Sequence, residues 1–276
     1  MQKLRTVTET REWRRQLQGS VGLVPTMGSL HEGHISLVRA ARRDNHHVIV
    51  SIFVNPSQFG PAEDFTTYPR NLERDCGLLA AERVDAVFVP SVDEIYPDGF
   101  SSSIDVGRLA TVLEGASRPG HFQGVATVVA KLFNIVSSTR AYFGQKDAQQ
   151  LAVIRRMTED LNLPVEIVSC PIVREPDGLA MSSRNAYLSA DERKAASVLY
   201  KSLTAAKAAF DAGDKDAGSL KGRMRAVLAI EALAVVDYVS VADPRTMLEL
   251  ERANDGSLAS LAVRFGRARL IDNLVL

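Results

Sequence analysis

The fold is decided by residues 21–34, VGLVPTMGSLHEGH. An apolar run over residues 21–25 is followed by a turn containing Gly28, then by His31 and His34, and helical spacing continues over residues 35–43. This order predicts a strand, a loop and a helix that begins at the histidine pair. Backbone N–H groups at a helix N-terminus attract anions, and imidazoles three residues apart are neighbours on the first turn. The stretch therefore predicts a cradle for a polyphosphate.

A metal site is the alternative interpretation of His31 and His34, because His is a common zinc ligand. The sequence has no H-E-x-x-H motif, no third His beside the pair and no cluster of cysteines. We therefore favour the phosphate interpretation and predict no metal ion bound directly by side chains.

Composition limits the possible partners. The chain has 276 residues, 46% hydrophobic and 24% charged, and its 33 basic residues balance its 33 acidic ones. Zero net charge gives no electrostatic case for nucleic acid, and no apolar run approaches the roughly 20 residues that span a bilayer. The two cysteines, Cys76 and Cys170, are far apart in sequence, which favours free thiols in the cytoplasm. We expect small-molecule substrates, no nucleic acid and no membrane.

Strands and helices alternate along the first part of the chain. Further strands are predicted over residues 48–54, 86–90, 141–144 and 165–169, and further helices over residues 71–83, 125–138 and 149–161. Such alternation predicts an α/β fold, a Rossmann-like parallel sheet with helices on both faces. We predict that residues 1–172 form this nucleotide-binding domain.

The pattern changes near residue 172. A long amphipathic helix is predicted over residues 191–210, with Ser189 as its N-cap and Glu192 completing a capping box. A second helix over residues 220–233 and three short strands after residue 235 complete this part. Residues 173–276 are therefore predicted to be a smaller α+β domain.

Polar loops supply the remaining candidates. Asn55 and Gln58 follow a buried strand, where a substrate of an open α/β sheet binds, but an ordinary solvated turn is equally compatible. Lys146 opens a helix and can neutralise phosphate, although surface Lys–Asp pairs are common. The hydroxyls of Ser182 and Ser183 and the guanidinium of Arg184 can clamp a triphosphate, but a solvated loop before a helix is the alternative. Residues 118–125, RPGHFQGV, are either another anion-binding loop or a simple connection.

In their order along the chain, these segments resemble those of the pantothenate synthetases, members of the nucleotidylyltransferase superfamily with an H-x-x-H motif. The resemblance rests on residues 25–34, 55–59, 118–125, 143–150 and 177–185, and it is weaker over the C-terminal third. Ser29 stands where Ala is usual, and we expect no effect from this difference.

The resemblance implies site residues. His34, His31, Lys146 and Arg184 are implied to be catalytic, Gln58 and Gln150 to bind pantoate, and Gln58 also to bind β-alanine. ATP is implied to contact Met27, Gly28, Ser29, Leu30, His31, Glu32, Gly33, His34, Gly144, Gln145, Lys146, Asp147, Val173, Met181, Ser182, Ser183 and Arg184.

The resemblance also implies a reaction: ATP and pantoate form pantoyl adenylate and pyrophosphate, and the amine of β-alanine then displaces AMP to give pantothenate. It implies Mg²⁺ bound mainly through phosphate oxygens and water, a homodimer, and a C-terminal lid over the nucleotide. Two rival functions are a nucleotidyltransferase that uses the same histidines and a non-catalytic nucleotide-binding module. Neither rival accounts for Gln58 together with Gln150.

Overall fold

The computed structural model describes residues 1–61 and 63–276. It divides into two compact units, the first containing Met1–Gln145 and Val153–Pro171, the second Lys146–Ala152 and Ile172–Leu276. The long segment of the second unit thus begins one residue before the predicted boundary. Residues 146–152, predicted in the first domain, cluster with the second unit instead.

The first unit is built on a six-stranded parallel sheet, which confirms the predicted parallel sheet and adds a sixth strand to the five predicted ones. Its strands are β1 (Gln2–Leu4), β2 (Val21–Thr26), β3 (His47–Ile52), β4 (Ala86–Phe88), β5 (Arg140–Gly144) and β6 (Glu166–Cys170), in the spatial order β1-β4-β3-β2-β5-β6. The helices are α1 (Val7–Arg15), α2 (Glu32–Asp44), α3 (Leu72–Ala81), α4 (Val92–Ile95), α5 (Glu114–Ser117), α6 (His121–Val136) and α7 (Ala148–Asp160). The residues of α7 up to Ala152 belong to the second unit.

The central strands are apolar because both faces of the sheet are covered. Val24 of β2 and Val48 and Val50 of β3 are fully buried, and they share a core cluster with Val38 of α2 and Leu79 of α3. Burial of each such side chain contributes about 1.5–3 kcal/mol. The alternation of buried strands and amphipathic helices predicted this layer correctly, but β1 and α1 were not predicted.

The second unit contains a three-stranded antiparallel sheet in the order β7-β8-β9. Its elements are α8 (Ala190–Ala195), α9 (Val198–Asp211), α10 (Ala217–Leu228), β7 (Val235–Ala242), β8 (Leu258–Phe265) and β9 (Ala268–Val275). Side chains of α9 and α10 share a core cluster with side chains of all three strands. The predicted α+β character of this region is confirmed.

The single helix predicted over residues 191–210 was wrong, because α8 and α9 are separate helices. The predicted capping box of Ser189 and Glu192 does begin α8. At its end the hydroxyl of Ser197 donates to the carbonyl of Lys194 at 3.0 Å, and the bond from Leu199 N to Ala196 O spans only three residues. Serine side chains compete in this way with the helical backbone pattern, which explains the interruption.

In residues 1–61 and 63–276, no helix has both the length and the apolar character needed to cross a lipid bilayer.

Candidate active site

Residues 27–34, here called the histidine loop, leave the carboxyl end of β2. From β2 the chain passes to its neighbour β3, whereas β5 lies on the other side of β2. The strand order therefore changes direction at β2, and ligands of open parallel sheets bind at the carboxyl ends of strands at such a point. The topology places the predicted polyphosphate cradle at the expected edge of the sheet.

The first half of the histidine loop is held by internal hydrogen bonds. Gly28 N donates to Thr26 Oγ1 at 3.2 Å. Ser29 N and Leu30 N donate to the two carboxylate oxygens of Asp75 at 2.8 and 2.9 Å. Gly28 and Ser29 both have left-handed backbones, with φ of 81° and 52°, so the chain reverses sharply before α2.

The two histidines cap α2 reciprocally. His31 is the N-cap, and its Nδ1 accepts from Gly33 N at 3.1 Å, while Nδ1 of His34 accepts from His31 N at 3.4 Å. The ring centroids lie 4.1 Å apart. An imidazole whose Nδ1 accepts a hydrogen bond carries its proton, when neutral, on Nε2. Each ring is therefore oriented to present an Nε2–H donor.

Most backbone N–H groups around the histidine loop are already hydrogen-bonded within the protein. The sequence predicted that unpaired N–H groups of the helix N-terminus hold the phosphates. In the structure, the N–H groups of Gly28, Ser29, Leu30, His31 and Gly33 all donate within the protein. Anion binding by the backbone of this loop therefore has fewer donors than predicted, and anion binding by the imidazoles stays a prediction.

Other side chains of the histidine loop have structural contacts. Leu30 is buried in the core, and its carbonyl accepts from the Arg74 guanidinium at 3.0 Å. The carboxylate of Glu32 pairs with Arg39 along α2. For Leu30 and Glu32, a direct nucleotide contact stays a prediction.

The turn Asn55–Gln58, here called the glutamine turn, follows β3 and is held by a buried amide network. Asn55 Oδ1 accepts from Tyr96 Oη at 2.7 Å and from Ser57 Oγ at 2.9 Å. Asn55 Nδ2 is thereby directed to Gln58 Oε1 at 3.1 Å and Gly124 O at 3.2 Å. Burial raises the pKa of Tyr96, so its hydroxyl stays a donor at neutral pH.

The network also fixes which end of the Gln58 amide is displayed. Because Gln58 Oε1 accepts from Asn55, its Nε2 is the end that extends from the turn, and it contacts Met27 Sδ at 3.1 Å. This contact joins the glutamine turn to the histidine loop. An amide nitrogen in this position can donate to a carboxylate or hydroxyl oxygen.

Residues 118–125 pack against the glutamine turn and brace it, and anion binding by this segment stays a prediction. Gly124 approaches the turn so closely that an added Cβ would lie 2.3 Å from Ser57 O. Arg118 makes two hydrogen bonds to Glu63, both 2.6 Å, and His121 Nδ1 bonds Gln58 O at 2.8 Å. Burial, reinforced by the neighbouring Arg118 charge, lowers the pKa of His121 to about 4, so it is neutral near pH 7.

In the second unit, Lys146 is held by its backbone and by a carboxylate. Its carbonyl accepts from Asn273 Nδ2 at 2.8 Å, and its Nζ lies 3.5 Å from Asp147 Oδ1. The neighbouring Asp272 has no exposed side-chain surface and forms two hydrogen bonds with Arg174, at 2.6 and 3.0 Å. Lys146, the cation predicted to bind phosphate, is therefore held through its backbone by Asn273 of β9.

Arg174 belongs to a hairpin that contains two predicted ATP contacts, Val173 and Met181. Met181 N donates to Val173 O at 3.0 Å. Within the hairpin, Arg174 donates to Gly178 O at 3.0 Å. Its Cζ also lies 4.2 Å from the ring centroid of Tyr200 in α9. The same guanidinium thus fixes the hairpin and the strand that holds Lys146.

The segment Ser182–Arg184, here called the serine–arginine segment, begins a short 3₁₀ helix over Ser183–Tyr187. Ser182 caps it by accepting from Arg184 N at 3.3 Å, and Asn185 Nδ2 donates to Ala180 O at 3.1 Å. No side chain of this 3₁₀ helix is fully buried. The segment is therefore more exposed to solvent than the buried part of the histidine loop around Leu30.

The remaining candidates lie around the end of β5. Gly144 pairs with Cys170 of β6, and Gln145 Oε1 accepts from Ser169 Oγ at 3.1 Å. Gln150 lies in the first turn of α7, among the residues that cluster with the second unit.

Two sets of predicted residues are thus assembled separately. The first unit brings Met27–His34 together with Gln58, and the second links Lys146 to the Val173–Met181 hairpin. Sequence reasoning missed their supports, Asp75 and Tyr96 in the first unit and Asp272 in the second. The only signal for them is a polar residue inside an apolar pattern, which does not name its partner.

No group of three or more His, Cys, Asp or Glu side chains suited to a metal ion occurs in residues 1–61 and 63–276.

The sequence was compared with protein families and with solved structures. The family model described as pantoate-beta-alanine ligase matches residues 2–275. The chain belongs to this family. It is 64% identical over 276 residues to the protein named pantothenate synthetase of Roseiflexus sp. strain RS-1, with 100% and 99% of the two chains covered. The chain is therefore a ligase of the pantoate–β-alanine ligase family.

Solved structures of family members share the whole fold. The pantothenate synthetase of Thermus thermophilus matches with a TM-score of 0.95 at 50% identity, over 99% of each chain. The pantoate–β-alanine ligase of Francisella tularensis, solved in complex with β-γ ATP and β-alanine, matches with a TM-score of 0.83 at 36% identity, over 100% of this chain and 97% of that one. The resemblance inferred from the motifs is confirmed, and both rival functions lose their support.

Proposed function

We propose that this protein joins pantoate to β-alanine at the expense of ATP, forming pantothenate through a pantoyl adenylate. The observation that carries the proposal is the family match over residues 2–275. It is supported by the complex of the Francisella tularensis relative, which contains a nucleotide and β-alanine.

The first step is displacement at the α-phosphorus of ATP. A carboxylate oxygen of pantoate forms the new P–O bond, and the bond to the pyrophosphate breaks. Little covalent chemistry falls to the protein, so alignment and stabilisation of the leaving charge are its main contributions. We assign that stabilisation to the Nε2–H donors of His31 and His34, with His34 as the principal donor.

The cations of the second unit complete the charge balance. We assign Lys146 and Arg184 to the triphosphate, because a compact ammonium and a forked guanidinium both stabilise phosphate oxygens. The residues of the histidine loop remain proposed nucleotide contacts, together with Gly144, Gln145, Asp147, Val173, Met181, Ser182 and Ser183.

In the second step the amine of β-alanine attacks the acyl carbon, the bond to AMP breaks, and the nitrogen loses a proton. We assign Gln58 Nε2 to the carboxylate and hydroxyl oxygens of pantoate, with Gln150 as its counterpart. Gln58 is also assigned to β-alanine. The buried network around Asn55 supports this role, since it fixes the polarity of the Gln58 amide.

Mg²⁺ is proposed to accompany ATP and to shield the phosphate charge. As the resemblance implies, phosphate oxygens and water would be its main ligands.

Three further properties are proposed from the resemblance: a cytoplasmic location, a homodimer, and a lid role for residues 173–276. Cys76 and Cys170 are buried free thiols, which supports a reducing compartment. Sedimentation equilibrium tests the dimer. Hydrogen exchange over residues 178–188 tests the lid, because closure over saturating ATP should raise protection there.

The decisive experiment is ATP–pyrophosphate exchange with a panel of carboxylic acids. We expect exchange only with pantoate, and pantothenate as the product once β-alanine is added. Exchange with another acid would replace the proposed substrate, and nucleotide transfer to a mononucleotide without any carboxylic acid would favour the nucleotidyltransferase. ATP binding without exchange for any acid would favour a non-catalytic module.

A further inference from the structure

Asp75 is a buried carboxylate with no place in the reaction proposed above. It lies in α3 and is only 1% exposed. A buried negative charge is costly unless hydrogen bonds compensate it. Its nearest ion-pair partner, the half-exposed Arg74, lies 3.7 Å away. The closer partners are two backbone N–H groups, those of Ser29 and Leu30, at 2.8 and 2.9 Å.

The loop segment that Asp75 binds contains a strained backbone. Gly28 and Ser29 are consecutive left-handed residues, with φ of 81° and 52°, and a non-glycine residue in that region is strained. Gly28 also lies so close to Asp75 that an added Cβ would be 3.1 Å from the carboxylate. Hydrogen bonds to a charged acceptor are stronger than those to a neutral one, and two of them can offset that strain.

The histidine pair directly follows the two residues that Asp75 binds. His31 directly follows Leu30, and it both caps α2 and donates its own N–H to His34. The orientation of the two rings therefore depends on the path of the backbone through Ser29 and Leu30.

We propose that Asp75 is the positioning residue of the histidine loop: its carboxylate takes the two N–H groups that an anion would otherwise occupy and thereby sets the imidazoles for the triphosphate. The proposal rests on the function proposed above. Side chains, rather than the backbone of the loop, then recognise the anion. ATP use, but not pantoate binding, depends on Asp75, a buried acid that touches no substrate.

The test uses Asp75→Asn, which preserves size but replaces one acceptor oxygen with a donor facing a backbone N–H. Asp85→Asn is the control, because Asp85 also accepts from a backbone N–H, Val48 N at 2.7 Å, but lies at the amino ends of β3 and β4 and pairs with Arg42 at 2.7 Å. We expect kcat/KM for ATP in the exchange assay to fall at least about tenfold in Asp75→Asn, the loss that corresponds to one such hydrogen bond. The KM for pantoate should stay within about twofold, and Asp85→Asn should resemble the parent protein in both constants.

A double-mutant cycle with His34→Ala separates positioning from general damage. If Asp75 acts through the histidines, Asp75→Asn should cost much less activity in the His34→Ala background than in the parent protein. Full additivity, or equal losses in the constants for ATP and pantoate, would overturn the proposal.

Asp75→Glu keeps the charge and covers the case in which Asp75→Asn does not fold. We expect a folded protein with ATP affinity between those of the parent and Asp75→Ala, measured by titration calorimetry. Tighter ATP binding in Asp75→Ala would instead show that the carboxylate only repels the nucleotide. If the parent protein showed no pantoate-dependent exchange, the proposed function would fail, while the calorimetry would still decide the role of Asp75.

Discussion

The histidine loop of the first unit and the serine–arginine segment of the second unit are built differently. The histidine loop is tied to a buried carboxylate and caps its own helix with two imidazoles. The serine–arginine segment lies on a 3₁₀ helix with no fully buried side chain, and its firm anchor is the hairpin before it, through Arg174. Donors that must be aligned with a reacting phosphate benefit from the first design, because preorganised groups need no rearrangement during reaction.

The largest expected effect concerns the anchor of the serine–arginine segment. Arg174→Met leaves the fully buried Asp272 without its guanidinium partner, and breaking a buried ion pair costs about 3–5 kcal/mol. Urea unfolding should show this loss. The double variant Arg174→Met/Asp272→Leu should recover much of it, and no recovery would show that the ion pair is not the source of the stability.

His34→Ala tests the preorganised donor. We expect adenylate formation to fall by about 10²–10³, the range for removing one transition-state donor. ATP–pyrophosphate exchange with pantoate measures it, and His31→Ala should lose a comparable amount. His47→Ala, at the amino end of β3, is the control. Parental exchange rates in a folded His34→Ala protein would contradict the assigned role.

His121 makes the brace of the glutamine turn sensitive to acid. Its pKa in the folded protein is about 4, against an ordinary value of 6.5, so between these values the unfolded chain binds a proton that the folded protein does not. Its contribution to stability is therefore complete above pH 6.5 and falls as the pH drops towards 4, by at most about 3 kcal/mol.

The measurement is the free energy of unfolding between about pH 7 and pH 4 for the parent and for His121→Gln. The Gln amide can donate to Gln58 O and does not titrate. The parent should lose more stability on acidification than the variant, and parallel curves would show that His121 is not the titrating group.

The smallest expected effects concern pantoate. Gln58→Ala and Gln150→Ala should raise the KM for pantoate roughly fivefold, since a neutral hydrogen bond contributes about 1 kcal/mol, and ATP affinity should change little. Tyr96→Phe removes one of the donors that orient Asn55 and should raise the same KM about two- to threefold. Gln123→Ala is the exposed control, and a loss confined to ATP binding would show that Gln58 and Gln150 are misassigned.

Apolar runs, turn residues and capping residues predicted the structure correctly where a few neighbouring positions decide it. The apolar run of β2, the turn at Gly28 and the histidine pair predicted a strand, a loop and a helix that the structure contains. Ser189 and Glu192 likewise predicted the start of α8. The same kind of signal, Thr6 followed three residues later by Glu9, begins α1 with a capping box, yet that helix was not predicted from it.

The sequence by itself determined five of the six strands of the parallel sheet, most of the longer helices and the residues of the histidine loop, because hydrophobic periodicity, caps and turn residues act over a few positions. Only the tertiary structure decided that the N–H groups of this loop are taken by Asp75, about 45 positions away, and that the carbonyl of Lys146 is held by Asn273. Such bonds form when distant segments pack together. No local pattern encodes which partner a buried polar group will meet, and that pairing determines which atoms are displayed to a substrate.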